Sequence, residues 1–242
     1  MKTHKFFLVL LCISMFGIKN YAQTGDYNQT DAKGKRHGKW MKKFEGSTQK
    51  RYEGTFEHGK EVGLFKFYKE RSSNQPVATK EYNAKNDSIQ IIYYTKKGGI
   101  VSEGTMIGKK REGTWRYYHQ SKKQQLMMTE SYKDDKLNGI KKTYLPDGSL
   151  AQEETYKEGK LNGPQIVYLK DKQVLQYYTY KNNELNGITK IYDITGDLLS
   201  EGDYKKGLKN GVWKFYDEGK LVQTITYPLP KPILKVKKKQ TD

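Results

Sequence analysis

The residue types that most often perform chemistry are sparse in this chain, and their spacing argues against catalysis. His37, His58 and His119 stand about 20 to 60 residues apart on different copies of a repeat, without the short pairing that brings two imidazoles to one metal. They read as turn or surface residues. Glu153 and Glu154 are adjacent, so on a strand they face opposite sides and make a poor acid and base pair. The one cysteine, Cys12, falls in an N-terminal segment expected to be removed, which leaves neither a thiolate nor a disulfide framework. No Gly-x-Ser-x-Gly elbow and no phosphate-binding loop occurs. The glycines recur periodically, as turns require, whereas a phosphate cradle would be singular. These observations predict no enzyme, no metal and no cofactor.

What does recur is a cation. Lys35, Lys60, Lys85, Lys110, Lys136 and Lys160 follow one another at intervals of 24 to 26 residues, and Glu184 and Leu208 then end the series. In a periodic fold such a series becomes a row along one edge, suited to recognising an acidic or anionic surface. Glu53, Glu103 and Glu201, with Glu130 and Glu154 one position along, also recur. They read as partners for Lys and Arg on neighbouring strands, at roughly 0.2 to 1 kcal/mol per pair.

The elements that must position these residues follow from one phrase, clearest at Tyr156-Lys157-Glu158-Gly159-Lys160-Leu161-Asn162-Gly163, with Tyr168 five residues on. It recurs at Tyr132 to Gly139, Tyr180 to Gly187 and Tyr204 to Gly211, and more loosely at Phe56 to Gly63 and Met106 to Gly113. Gly38, Gly63, Gly113, Gly139, Gly163, Gly187 and Gly211 anchor the copies, and Ser88, midway across the long gap, marks a copy without glycine. The spacing of 24 to 26 predicts a stacked array of eight units over residues 34–227. The glycines are expected in turns, where Gly and Asn accept positive φ most cheaply.

After each anchor the residues alternate, as in Gly113-Thr114-Trp115-Arg116-Tyr117-Tyr118. Positions two and four past it share one strand face, which is aromatic at Phe65, Trp115 and Trp213; positions one, three and five share the other. A second strand follows a turn such as Pro146-Asp147-Gly148. The fold class predicted is all-β: an elongated, single-layer antiparallel sheet of tandem hairpins, advancing about 9 to 10 Å per unit and so roughly 75 Å in all. A hydrophobic content of 35%, much of it aromatic, suits a thin layer better than a thick core.

Residues 1–22 read as a secretory signal, with Lys2 and Lys5 before the apolar run Phe6 to Gly17, too short for the ~20 residues of a membrane span. The chain is therefore expected to be exported: periplasmic, cell-surface or secreted. Without Lys2, Lys5 and Lys19 the formal charge falls from +18 to +15. Residues 23–33 read as a flexible leader. Residues 228–242, with Pro228, Pro230 and Pro232 before a lysine-rich end, read as a tail that stops the sheet.

The phrase Tyr-Lys-Glu-Gly-Lys-Leu-Asn-Gly with its aromatic alternation resembles the MORN repeat variant of bacterial proteins often labelled YwqK-type antitoxins. Tyr52-Glu53-Gly54-Thr55-Phe56 is similar to the Tyr-x-Gly-x-Trp core of MORN repeats proper. The resemblance covers about residues 34–227 and implies successive hairpins used for binding or scaffolding. A cytoplasmic antitoxin would not carry an export signal, which leaves inhibition of a toxin outside the cytoplasm. The expected function is a binding or scaffolding module for a protein partner at the cell envelope. Its candidate surface is the six lysines with Trp40, Phe65, Trp115 and Trp213. The alternative partner is an anionic lipid or acidic glycan surface, and export argues against nucleic acid.

Overall fold

The computed structural model describes residues 26–72, 74–121 and 124–229. Residues 1–25, which hold the segment expected as a signal and the first residues of the expected leader, and residues 230–242 of the expected tail lie outside the described residues. The described chain forms one open antiparallel sheet of 19 strands that pair in chain order, as the hairpin array requires. Eight hairpins carry it: Arg36–Lys43 with Lys50–Glu57, Lys60–Phe67 with Ala78–Tyr82, Ser88–Tyr94 with Ile100–Ile107, and Lys110–Tyr118 with Leu126–Lys133. Gly139–Tyr144 then pairs with Leu150–Lys157, Lys160–Tyr168 with Val174–Lys181, Gly187–Tyr192 with Leu198–Lys205, and Leu208–Asp217 with Lys220–Tyr227. The second strand of each unit pairs in turn with the first strand of the next.

The anchor glycines do adopt positive φ, but not in the turns. In the sixth unit the two-residue turn is Glu158-Gly159, with φ of 51° and 81°, closed by the pair Lys157 and Lys160. Gly163, at φ 126°, sits inside the following strand, and Asn162 does not enter the left-handed region. The reason is a bulge. Thr55 pairs with Val62 and Glu53 with Lys66, so the single residue Gly54 faces Gly63, Leu64 and Phe65. Two extra residues must be absorbed there, and a left-handed glycine absorbs them without a Cβ clash. The same offset recurs between Thr105 paired with Glu112 and Glu103 paired with Arg116.

The glycine-free copy is out of step for the same reason. Ser88–Tyr94 pairs with Ala78–Tyr82 without a register shift. With no bulge, the buried position is Ile91 and Gln90 is exposed, so the anchor equivalent is Ile89 and not Ser88.

The core lies on one face of the sheet, around a cross-strand ladder through its middle, with Phe56, Ala78, Ser102 and Tyr132 buried beside it. In order the ladder runs Trp40, Gly54, Phe65, Lys80, Ile91, Gly104, Trp115, Glu130, Lys141, Glu154, Gln165, Tyr178, Thr189, Gly202, Trp213 and Ile225. Where the ladder carries a ring, the residue before it is often glycine, because the ring lies flat on the neighbouring backbone. A Cβ at Gly104 would fall 2.4 Å from Trp115 Cδ2, and one at Gly54 or Gly202 would meet Phe65 or Trp213 at the same distance.

Residues of the segment expected as a flexible leader close the first edge of the sheet. Gln29–Thr30 pairs with the first strand, Asn28 Oδ1 accepts from Met41 N–H at 2.9 Å, and Trp40 Nε1–H donates to Gln29 O at 2.8 Å. Asp31 Oδ2 lies 2.7 Å from His58 Nδ1, and that bond, with backbone N–H donors from Lys35 and Lys33, brings its carboxyl down to about 2.

Candidate binding surface

The aromatic residues expected on a contact surface are mostly unavailable for contact. Phe65, Trp115 and Trp213 are 2, 4 and 3% exposed, while Trp40 is half-buried. A single-layer sheet would normally leave one face of each ring wet. Here, at several anchors, the residue two before the glycine folds back over the rings beside the ladder as a lid, whereas at Gly63 that residue, Glu61, is exposed and Phe56 and Tyr82 pack edge-on against Phe65 instead. Arg36 lies 3.9 Å from the Phe56 ring centroid, Arg111 3.9 Å from Tyr132 and Lys209 4.1 Å from Trp213. Half-buried leucines, Leu137, Leu161 and Leu185, hold that place in the next three copies. The rings are therefore structural and Phe65, Trp115 and Trp213 leave the candidate surface.

Between the fourth and seventh units the ladder turns polar. Glu130 and Glu154 occupy the slot that glycine takes elsewhere and are buried, with Lys141 between them in the ladder. Lys141 Nζ is 3.0 Å from Glu154 Oε2, and Gln165 Nε2–H donates to Glu154 Oε1 at 3.3 Å. Glu130 accepts from Tyr132 O–H at 2.6 Å, and Arg111 Nη1–H donates to that hydroxyl at 2.5 Å. Burial, followed by the bond to Glu130, pushes the Tyr132 phenol well above its ordinary value. Each carboxylate here has a partner that satisfies it, so this cluster is a packed polar core.

The opposite face carries the repeated tyrosine. Tyr68, Tyr118, Tyr168 and Tyr216 each donate to a glutamate fifteen residues earlier: Glu53, Glu103, Glu153 and Glu201, at 2.5, 2.6, 3.1 and 3.0 Å. Lys142 Nζ stands 2.8 Å from Glu153, and Lys190 and Lys214 flank Glu201 at 3.7 and 3.4 Å, so Glu201 pairs across strands as expected, while no Lys or Arg pairs with Glu103 among the described residues. Lys142 first, and Tyr168 after it, hold the Glu153 carboxyl below its ordinary value despite partial burial. Burial and the bond that Tyr118 donates to Glu103 raise the Tyr118 phenol to about 12.

The lysines stand elsewhere, on the edge made by the two-residue turns. Lys60, Lys110, Lys136 and Lys160 are the first residues of their strands, and all six lysines are exposed. Successive turns are tied together: Gly59 N–H donates to Arg36 O, Asp135 to Arg111, Gly159 to Leu137, Asn183 to Leu161 and Gly207 to Leu185, at 2.7 to 3.0 Å. These bonds hold neighbouring units in register along that edge, which is what makes a row out of residues 24 to 26 apart. At the glycine-free copy the loop Asn83 to Asp87 makes no such bond among the described residues. There an open groove of about 920 Å³ is lined by Lys60, Lys85 and Lys110 together. Glu61, Asp87, Glu112 and Asp134 share it, and Lys110 is paired with Asp134 at 3.0 Å. Lys136, with Lys133, Asp134 and Asn138, lines the adjoining hollow.

The histidines do not converge on a metal. His37 and His58 stack at 4.9 Å beside Asp31, His119 Nε2 is 3.1 Å from Tyr144 O, and no metal-holding group of three acidic, His or Cys side chains occurs among the described residues.

Residues 137–158 match the family model described as MORN repeat variant. They run from the lid residue Leu137 through the fifth hairpin to the turn residue Glu158, one complete repeat as the sheet lays it out. The chain thus contains a MORN-type repeat, and the hairpins on either side follow the same plan. No curated protein matches the chain.

Proposed function

We propose that this chain is an exported, non-catalytic binding module that holds a protein partner along its turn edge. The observation that carries the reading is the groove at the glycine-free copy, where Lys60, Lys85 and Lys110 converge beside Glu61, Asp87 and Glu112. A surface of both signs is complementary to a folded protein surface with acidic patches, since opposite potentials face each other on docking. A uniformly anionic lipid or glycan surface would meet repulsion from the four carboxylates that share the groove. An antitoxin-like role is a special case of this reading, in which the partner is a toxin encountered outside the cytoplasm.

The test is a photocrosslinking amino acid placed at residue 85 of the full chain in its own cells, with the same group at residue 140 on the sheet face as control. Recovery of one discrete crosslinked protein from position 85 and not from position 140 supports the reading. Equal labelling from both positions, or crosslinks to lipid alone, refutes it.

A further inference from the structure

The two ends of the sheet are finished differently. At the start, Asn28 to Thr30 covers the outer edge of the first strand and His58 clamps the turn that follows. At the end, Lys220–Tyr227 is an eight-residue strand paired on one side only among the described residues. Natural sheets blunt such an edge with inward charges, bulges or proline within the strand. This one has Lys220 at its beginning and a bulge at Val222, but beyond the bulge Gln223, Thr224, Ile225, Thr226 and Tyr227 carry neither charge nor proline. Ile225 occupies the ladder position that every earlier second strand offers to the next unit, as Gly202 offers to Trp213. Nothing in the described chain takes the place of that next residue. On the same face Lys209 lies over Trp213 and Tyr227, at 4.1 and 5.2 Å from their centroids. Arg111, in the equivalent place, is met by Asp135 at 2.6 Å; Lys209 has no carboxylate within ion-pairing distance among the described residues.

We propose that the edge Lys220–Tyr227 is a second interaction site, which takes an extended acidic segment of a partner as an added antiparallel strand. Main-chain hydrogen bonds would supply most of the affinity, as in other strand additions. An apolar side chain of the incoming strand would cover Ile225, and a carboxylate would reach Lys209. A second copy of this chain fits less well: Lys220–Tyr227 contains no acidic residue, so self-pairing would leave both copies of Lys209 unmatched and bring two strongly basic chains together.

The experiment uses the full chain and a capped peptide of alternating valine and glutamate, with an alternating valine and lysine peptide as its counterpart. Hydrogen exchange followed by mass spectrometry should show the amides of residues 220–227 slowed about tenfold by the acidic peptide, as expected for newly bonded strand amides. The lysine peptide should leave them unchanged. Ile225→Lys should abolish the protection, and Lys209→Glu should transfer the preference to the lysine peptide, an effect that loss of folding cannot imitate. Reversing Lys60, Lys85 and Lys110 should not alter it, which separates this site from the turn edge. Equal protection by both peptides, or none, overturns the proposal. So does a concentration-dependent dimer in sedimentation whose 220–227 amides are already protected, because the occupant would then be a second copy.

Discussion

Alanine at Gly104 would place a methyl 2.4 Å from Trp115 Cδ2, with Cε2 and Cγ scarcely further away. The ring cannot tilt freely, since Ile91, Tyr132, Met106, Tyr117 and Leu137 pack around it. Overpacking of this kind costs about 1 to 3 kcal/mol. Because the clash is with the body of the ring, Gly104→Ala should lie near the top of that range. Trp115→Ala alone should cost about 3 to 4 kcal/mol through lost burial and the cavity left behind. In the double variant the clash is gone, and alanine in a strand interior is favoured over glycine by about 0.5 to 1 kcal/mol. The double variant should therefore be no less stable than Trp115→Ala, giving a coupling of about 3 to 4 kcal/mol in urea titrations followed by circular dichroism. Strictly additive losses would mean that the ring does not rest on Gly104, and the ladder would be wrong. Gly202 with Trp213 and Gly54 with Phe65 offer the same cycle at two further places.

Other outcomes follow from the same structure. Lys141→Met leaves Glu130 and Glu154 buried without the cation between them and should cost about 2 to 4 kcal/mol; adding Glu154→Met should recover part of the loss in the denaturation midpoint. Glu153 has a lowered carboxyl pKa in the fold, so its contribution is present above its ordinary value of 4.5 and lost as pH falls below it. Glu153→Gln should flatten the acid limb of a stability against pH curve in that window, while an unchanged limb would count against the Lys142 and Tyr168 pairing. Small-angle scattering should report an elongated particle of about 75 Å, and a radius of gyration near 18 Å, as for a compact chain of this length, would contradict the open sheet.

Much of the fold was legible because its constraint is local and repeated. A bulge that absorbs two residues demands positive φ at one place, and glycine marks that place from Gly38 to Gly211. The distinction between turn and bulge was not legible: Gly159 and Gly163 both need the left-handed region, and only the pairing of Lys157 with Lys160 shows which closes the hairpin. Ser88 stands one residue before the anchor equivalent Ile89, because a period alone cannot show that a copy has lost its bulge. The aromatic face is legible in the alternation, but the burial of its rings is not. The lids that cover it are Arg36, Arg111 and Lys209 in some copies and leucines in others, and cations are not read as core from sequence. One signal was available. Glu130 and Glu154 stand where Gly54, Gly104 and Gly202 stand, and the rings facing those glycines give way there to Lys141 and Gln165, a covariation within the repeat that marks a contact.

The turn edge as the place of binding is tested most directly by reversing Lys60, Lys85, Lys110 and Lys136 to Glu in one chain. These side chains are exposed and lie outside the ladder, so the variant should keep the parent's circular dichroism and thermal midpoint. Affinity for the crosslinked partner, measured by titration at low salt, should fall by at least about a hundredfold, and the parent's own affinity should weaken as salt shortens the Debye length below about 8 Å. A quadruple reversal that folds normally and binds as tightly as the parent at low salt would contradict the account and remove the lysine row from it.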